Sequence, residues 1–218
     1  MKKIYKWMIG LMLLSFVTVG VFLTLAPDRI PVHYDIMGKI DRWGSKYEYL
    51  LFPAVTTLMG TFLAFVARFE GKKGREANEK VVTVLGIWVL LLFNAMWLLF
   101  LWKAVQGTDL GGGTELAGKA FLVLIMASFI PLGNIMPKVQ RNAAFGLRTK
   151  WSMADDVCWQ KSQRFGGFLM VGTGIAGIAL VSVLPTLWAG HAVLALILGM
   201  VVASAAGTYH IWKKEHKS

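Results

Sequence analysis

Charge is scarce in this chain, and its absence is concentrated. Only 16% of the 218 residues are Asp, Glu, Lys or Arg, and 56% are hydrophobic, whereas a soluble domain carries about 25% charged residues. Six blocks hold no charged residue at all: 7–26, 49–67, 81–102, 120–136, 165–184 and 191–212. About twenty helical residues cross the ~30 Å hydrocarbon layer. The gaps in charge therefore predict an all-α, polytopic membrane protein with six transmembrane helices and little chain left for a soluble domain. The expected division is 1–68, two spans joined by a structured loop (27–48), then 69–218, four spans around a long loop (133–167).

Other absences narrow the function. A single cysteine, Cys158, excludes an internal disulfide and leaves the redox compartment open. No Asp, Glu, Lys or Arg lies deep in a span, which argues against an ion-coupled pump. No nucleophile–base pair or metal-ligand spacing is visible, so no enzyme, metal or cofactor is expected. The run GGG at 111–113 lacks the strand and spacing of a phosphate-binding loop. The opening MKKIYK and the apolar run after it imitate a signal peptide, but an h-region is usually 7–15 residues. This run is longer, and it is read as a retained first span.

What charge there is falls unevenly. With the N-terminus inside, seventeen Lys and Arg lie on one side and six on the other, while the acids divide six and six. The positive-inside bias then places both termini on the cytoplasmic side of a cell membrane. The whole net charge of +11 sits on that inner face, where it suits anionic lipid headgroups. No basic, aromatic-interleaved domain exists to hold a nucleic acid strand directly.

The first outer connection, PDRIPVHYDIMGKIDRWGSK, interrupts the apolar runs with seven charges, two prolines and two glycines. Pro27 and Pro31 restrict their neighbours to extended backbone. Gly38 and Gly44 offer positive φ for two turns, and IPVHYDI has strand composition. Tyr34, Trp43, Tyr47 and Tyr49 suit the membrane interface. His33, Asp35 and Asp41 match no ligand spacing, so His33 is expected to be hydrogen-bonded within a folded loop. Pro31, His33, Gly38, Asp41, Arg42 and Lys46 are the candidate recognition residues.

The long inner loop is richer still. Asn134 and Pro137 close the fourth span, and Gly146 marks a turn in RNAAFGLRTKW. SMAD reads as a capping box with Ser152 as N-cap and Asp155 at the third helical position. The helix that follows puts Asp155, Trp159 and Gln163 on one face. Arg148, with its planar fork of donors, is expected to pin the loop to that helix.

NIMPKVQRNAAFGLRTKWSMADDVCWQKSQRFGG resembles the signature loop of the SdpI family of bacterial membrane immunity proteins. PDRIPVHYDIMGKIDRWGSK is similar to the domain of unknown function that commonly precedes that signature. The chain departs from the pattern at Lys150, where the family commonly has proline, and at Gln163, where it commonly has histidine. Carried onto this sequence, the signature selects Asn134, Pro137, Asn142, Gly146, Arg148, Thr149, Trp151, Trp159, Arg164 and Gly166. The resemblance implies immunity to a secreted, membrane-active peptide toxin, and a cytoplasmic repressor held at the membrane by the toxin-bound protein. A small-molecule or peptide transporter is the alternative reading, and an enzyme acting at NAAFGLRTKW a further one.

Within the spans, Asn94, Ser128 and Asn134 are polar groups expected to join helices, and Pro53 and Pro131 are expected to kink them. Gly199, Ala203 and Gly207, with Gly172, Gly174 and Gly177, offer smooth faces for close packing or a homodimer.

Overall fold

A computed structural model describes residues 2–34, 39–108, 115–142 and 145–216. Six helices form: α1 (Lys2–Leu25), α2 (Leu51–Lys72), α3 (Glu76–Gln106), α4 (Glu115–Ile135), α5 (Asp156–Val183) and α6 (Thr186–His216). Each is long and apolar enough to cross a membrane, and the chain is a multi-pass membrane protein. At 1.5 Å per residue, the 31 residues of α3 and of α6 run ~46 Å and the 28 of α5 ~42 Å. The 21 residues of α4 reach only ~32 Å.

Between α1 and α2 the expected strand is present and has a partner. β1 (Arg29–Tyr34) pairs antiparallel with β2 (Ile40–Ser45), and a 3-10 turn at Lys46–Leu50 leads into α2. Gly38 and the MGK turn lie outside the described residues. Gly44 does not use positive φ; it lies inside β2, where a side chain would strike the Glu48 carboxylate and the Val32 methyl.

α1, α2 and α3 pack on one another, α4 packs on α5 and α5 on α6, and contact between α3 and α4 joins the two groups. Tyr5 near the start of α1 donates to Glu79 at the start of α3 (3.0 Å), and Thr149 donates to Thr208 near the end of α6 (2.9 Å). Both termini therefore lie at the end of the bundle that carries the 133–167 loop. The hairpin lies at the other end, over a cluster of Val19, Phe22, Ile30, Tyr49, Leu101 and Ala104.

The joint between α4 and α5 is made of backbone. A Cβ on Gly133 would stand 2.7 Å from the Gly167 carbonyl oxygen, and one on Gly167 2.6 Å from that of Gly133. Gly174 meets the Met126 carbonyl in the same way, at 2.7 Å. Small residues let helix backbones approach this closely. The other smooth faces differ: Gly207 lies against the Phe165 ring, while Gly172 and Gly199 face open space.

Asn94 joins helices as expected, donating to Leu11 of α1 (3.2 Å) and to Leu90 of its own helix (2.8 Å). Ser128 instead turns back onto Ile125 within α4, and Asn134 is exposed. Pro53 occupies the first turn of α2, where a missing N–H breaks no helical bond and no kink is required. Pro131 is inside α4.

Candidate functional site

The 133–167 loop is built around its own peptide groups. α4 gives way to a 3-10 turn at Met136–Lys138, with Pro137 at its start. The next residues run extended and would leave polar backbone unpaired, which burial penalises. Two side chains prevent that. The Trp159 indole donates to the Val139 carbonyl (2.7 Å). The Asn78 amide accepts from Gln140 N–H (2.8 Å) and donates to its carbonyl (3.2 Å), so one side chain satisfies both halves of residue 140.

Asn78 in turn donates to Glu70 (2.9 Å), whose carboxylate is buried and paired with Arg75 (3.2 Å). A buried carboxylate is tolerated only with such partners. This Arg75–Glu70–Asn78 chain links the α2–α3 turn to the long loop. The sequence carried no signal for it, because neither Glu70 nor Asn78 belongs to a recognisable spacing.

Further along, Asn142 folds its amide onto Phe145, accepting from its N–H (2.9 Å) and donating to its carbonyl (3.2 Å). Gly146 then turns the chain at φ +100°, and a Cβ there would stand 2.8 Å from Gln163 Oε1 and 3.0 Å from the Trp159 ring. Gln163, fully buried, clasps the next residue from both sides: it accepts from Leu147 N–H (2.9 Å) and donates to Leu147 C=O (3.0 Å). Gly166 admits the Leu147 side chain, whose Cδ2 would stand 3.0 Å from an added Cβ.

The loop closes through Thr149 and Ser152, whose hydroxyls each accept from the other's N–H (2.8 and 3.0 Å). Ser152 also donates to the Leu147 carbonyl (2.8 Å). Ser152 is therefore buried inside a turn and does not cap α5. Asp155 is the N-cap: its backbone is extended and its carboxylate accepts from Cys158 N–H (2.8 Å). That bond holds the Asp155 carboxyl below the usual carboxylate range. The capping box misread the register by three residues, because both Ser152 and Asp155 precede an apolar run and only the tertiary contacts distinguish them.

Among the signature residues, Asn142, Gly146, Thr149, Trp151, Trp159 and Gly166 come together here, with Trp151 edge-on to Tyr209 of α6 at 5.2 Å. Arg148 does not pin the loop. It is exposed, and among the described residues it makes no hydrogen bond or ion pair. Arg141 has the bridging role instead, pairing with Asp156 (2.9 Å) and donating to the carbonyls of Met153 (3.3 Å) and Ala154 (3.5 Å). Asn134, Pro137 and Arg164 are exposed as well. Lys150 places its ammonium 5.2 Å from the centre of the Trp151 ring.

At the opposite end the hairpin is cross-linked by its charges. His33 Nδ1 meets Asp41 at 2.7 Å, Arg42 pairs with Glu48 (2.9 Å), and Lys46 pairs with Asp28 (3.1 Å) while donating to the Ala26 carbonyl (3.2 Å). Tyr49 is not interfacial. It is buried, and its hydroxyl donates to the Pro31 carbonyl (2.7 Å), fastening β1 to the start of α2. Trp43 and Tyr47 are exposed as expected.

These two ends coincide with two segments known from other proteins. Residues 138–208 match the SdpI/YfhL protein family, and residues 10–57 match a domain of unknown function, DUF1648. The matched residues of the first, the SdpI region, take in most of the long loop, α5 and most of α6. The immunity protein SdpI of Bacillus subtilis (strain 168) is 32% identical over 82 residues, which is 38% of this chain and 39% of that protein. The likeness thus spans well under half of either chain. No solved structure matches. Within this SdpI region the family residues are mostly those that close the loop on itself, while Arg148 and Arg164 face outward.

Proposed function

We propose that the chain is a membrane immunity protein which recognises a secreted, membrane-active peptide at its hairpin and reports through its SdpI region. The 82-residue likeness to an immunity protein, with the SdpI/YfhL match over residues 138–208, carries this reading. The basic residues favour an inward-facing SdpI loop, so the hairpin meets a peptide arriving from outside. The hairpin suits recognition because its ion pairs and the Tyr49 bond fix its shape, so little ordering entropy is lost on binding. The SdpI loop suits a protein partner for a different reason. Among the described residues most of its buried polar groups are bonded within the fold, while Arg148 and Arg164 are exposed and basic, facing a repressor with acidic surface.

The test is protection. The intact chain, produced in a sensitive indicator strain, is challenged with a panel of secreted membrane-active bacterial peptides. It should raise the inhibitory dose of at least one of them. Replacing residues 27–48 by a Gly/Ser linker, at equal membrane levels, should remove that protection. Full protection by the chimera sinks the recognition surface. Protection by neither protein, with energy-driven uptake of peptide into vesicles, favours a transporter.

A further inference from the structure

Where the start of α5 meets the end of α6, three side chains of different chemistry converge. Asp155, Cys158 and His216 each present a ligand atom, and these atoms all lie within 4.8 Å of one another. The sequence hides the group, because His216 stands at the far end of the chain from Asp155 and Cys158.

Two details point to an ion shared among them. His216 Nε2 and Asp155 Oδ2 are 3.6 Å apart, too long for a hydrogen bond. Donors ~2.1 Å from one tetrahedral cation stand roughly 3.5 Å from each other, and this pair already does. The histidine is also set up for it. Its Nδ1 lies 3.1 Å from the Trp212 carbonyl, which only accepts, so in the neutral ring Nδ1 carries the hydrogen and Nε2 the lone pair. Metal-binding histidines are oriented by this kind of bond from the other ring nitrogen.

We propose that Asp155, Cys158 and His216 form a binding site for a divalent cation of the zinc class. One carboxylate oxygen, one imidazole nitrogen and one thiol sulfur form a borderline donor set, suited to Zn²⁺ and unsuited to Mg²⁺ or Ca²⁺. Three protein ligands leave a fourth position for water or a partner's side chain. On binding, the Cys158 thiol loses its proton to solvent and coordinates as thiolate. Asp155 Oδ1 keeps its bond to Cys158 N–H, and Oδ2 turns to the metal. The ion would fasten α5 to α6 beside the Lys161–Glu215 pair (2.6 Å), at the edge of the SdpI loop.

The full chain, purified in detergent without a polyhistidine tag and stripped with chelator, is titrated with Co²⁺ and then Zn²⁺. One equivalent of Co²⁺ should give the near-ultraviolet charge-transfer band of a thiolate–cobalt bond, and Zn²⁺ should abolish it. Cys158→Ser should lose the band. His216→Ala, an exposed change that leaves the core intact, should weaken Zn²⁺ binding about tenfold or more, whereas His210→Ala should not. Cobalt binding without the band, or Zn²⁺ affinity unchanged in both Cys158→Ser and His216→Ala, overturns the site. The readout is metal binding, so failure here leaves the immunity reading standing.

Discussion

Gln163 stands where the resemblance to the SdpI signature implies histidine, and its geometry shows what the exchange changes. A primary amide presents a donor and an acceptor side by side, matching the N–H and C=O of one residue, Leu147. A neutral imidazole presents its donor and acceptor on separate edges, so it reaches one of the two groups. Gln163→Ala is expected to leave the Leu147 N–H without a partner and its carbonyl with Ser152 alone, at about 1–3 kcal/mol for the buried N–H, and Gln163→His to fall between alanine and wild type. Thermal unfolding in detergent measures this; a histidine variant as stable as wild type would show that the two-sided clasp is dispensable. The arginines separate similarly. Arg148→Ala should leave the melting temperature unchanged, because the side chain is exposed and makes no bond among the described residues. Arg141→Lys should lower it by loosening the loop, since lysine cannot span Asp156 and two carbonyls together. If Arg148→Ala nonetheless loses peptide protection at normal membrane levels, its role is contact with a partner.

Helix packing turns on whether a neighbour's backbone or open space lies beyond each glycine. Gly133→Ala and Gly174→Ala push a methyl onto a carbonyl oxygen 2.7 Å away, and overpacking of this kind costs about 1–3 kcal/mol. Gly172→Ala, two residues from Gly174 on a face with nothing within 4 Å, should be neutral or stabilising. Equal effects at Gly172 and Gly174 in a detergent melt would contradict the α4–α5 joint. Spacing alone does not choose between these positions. Smooth faces are expected on α5 and α6 alike, yet Gly172 and Gly199 are open, and the close backbone contacts include Gly174 and also Gly133 of α4, which belongs to no such run. The spans themselves were legible because missing charge is a one-dimensional signal. The short strand was legible too, from its prolines and β-branched residues. The N-cap of α5, the arginine that bridges the loop and the Glu70–Asn78 link were not, since each depends on which of several similar side chains the fold brings within reach.

Taken whole, the molecule has both termini at the SdpI end, and the basic count favours a cytoplasmic placement of that end. Reporter fusions check the assignment: enzymes active only in the cytoplasm should work at the C-terminus, and those active only outside should be silent there. The reverse pattern would invert the orientation and place the hairpin inside. The helix lengths carry a consequence for the surrounding lipid. α4 is about as long as the ~30 Å hydrocarbon layer is thick, and its contacts with α5 are backbone against backbone, so it cannot slide to adjust. α3, α5 and α6 exceed that thickness by ten ångströms or more. Hydrophobic mismatch therefore falls on α4 first, and acyl-chain length becomes a variable the protein can feel. In nanodiscs of longer-chain phospholipid, the membrane has to thin around α4, and nearly as much around the 22-residue α2, or draw their ends inward. The α4 end runs straight into Pro137 and the SdpI loop, so thick bilayers should loosen that loop before they disturb the hairpin.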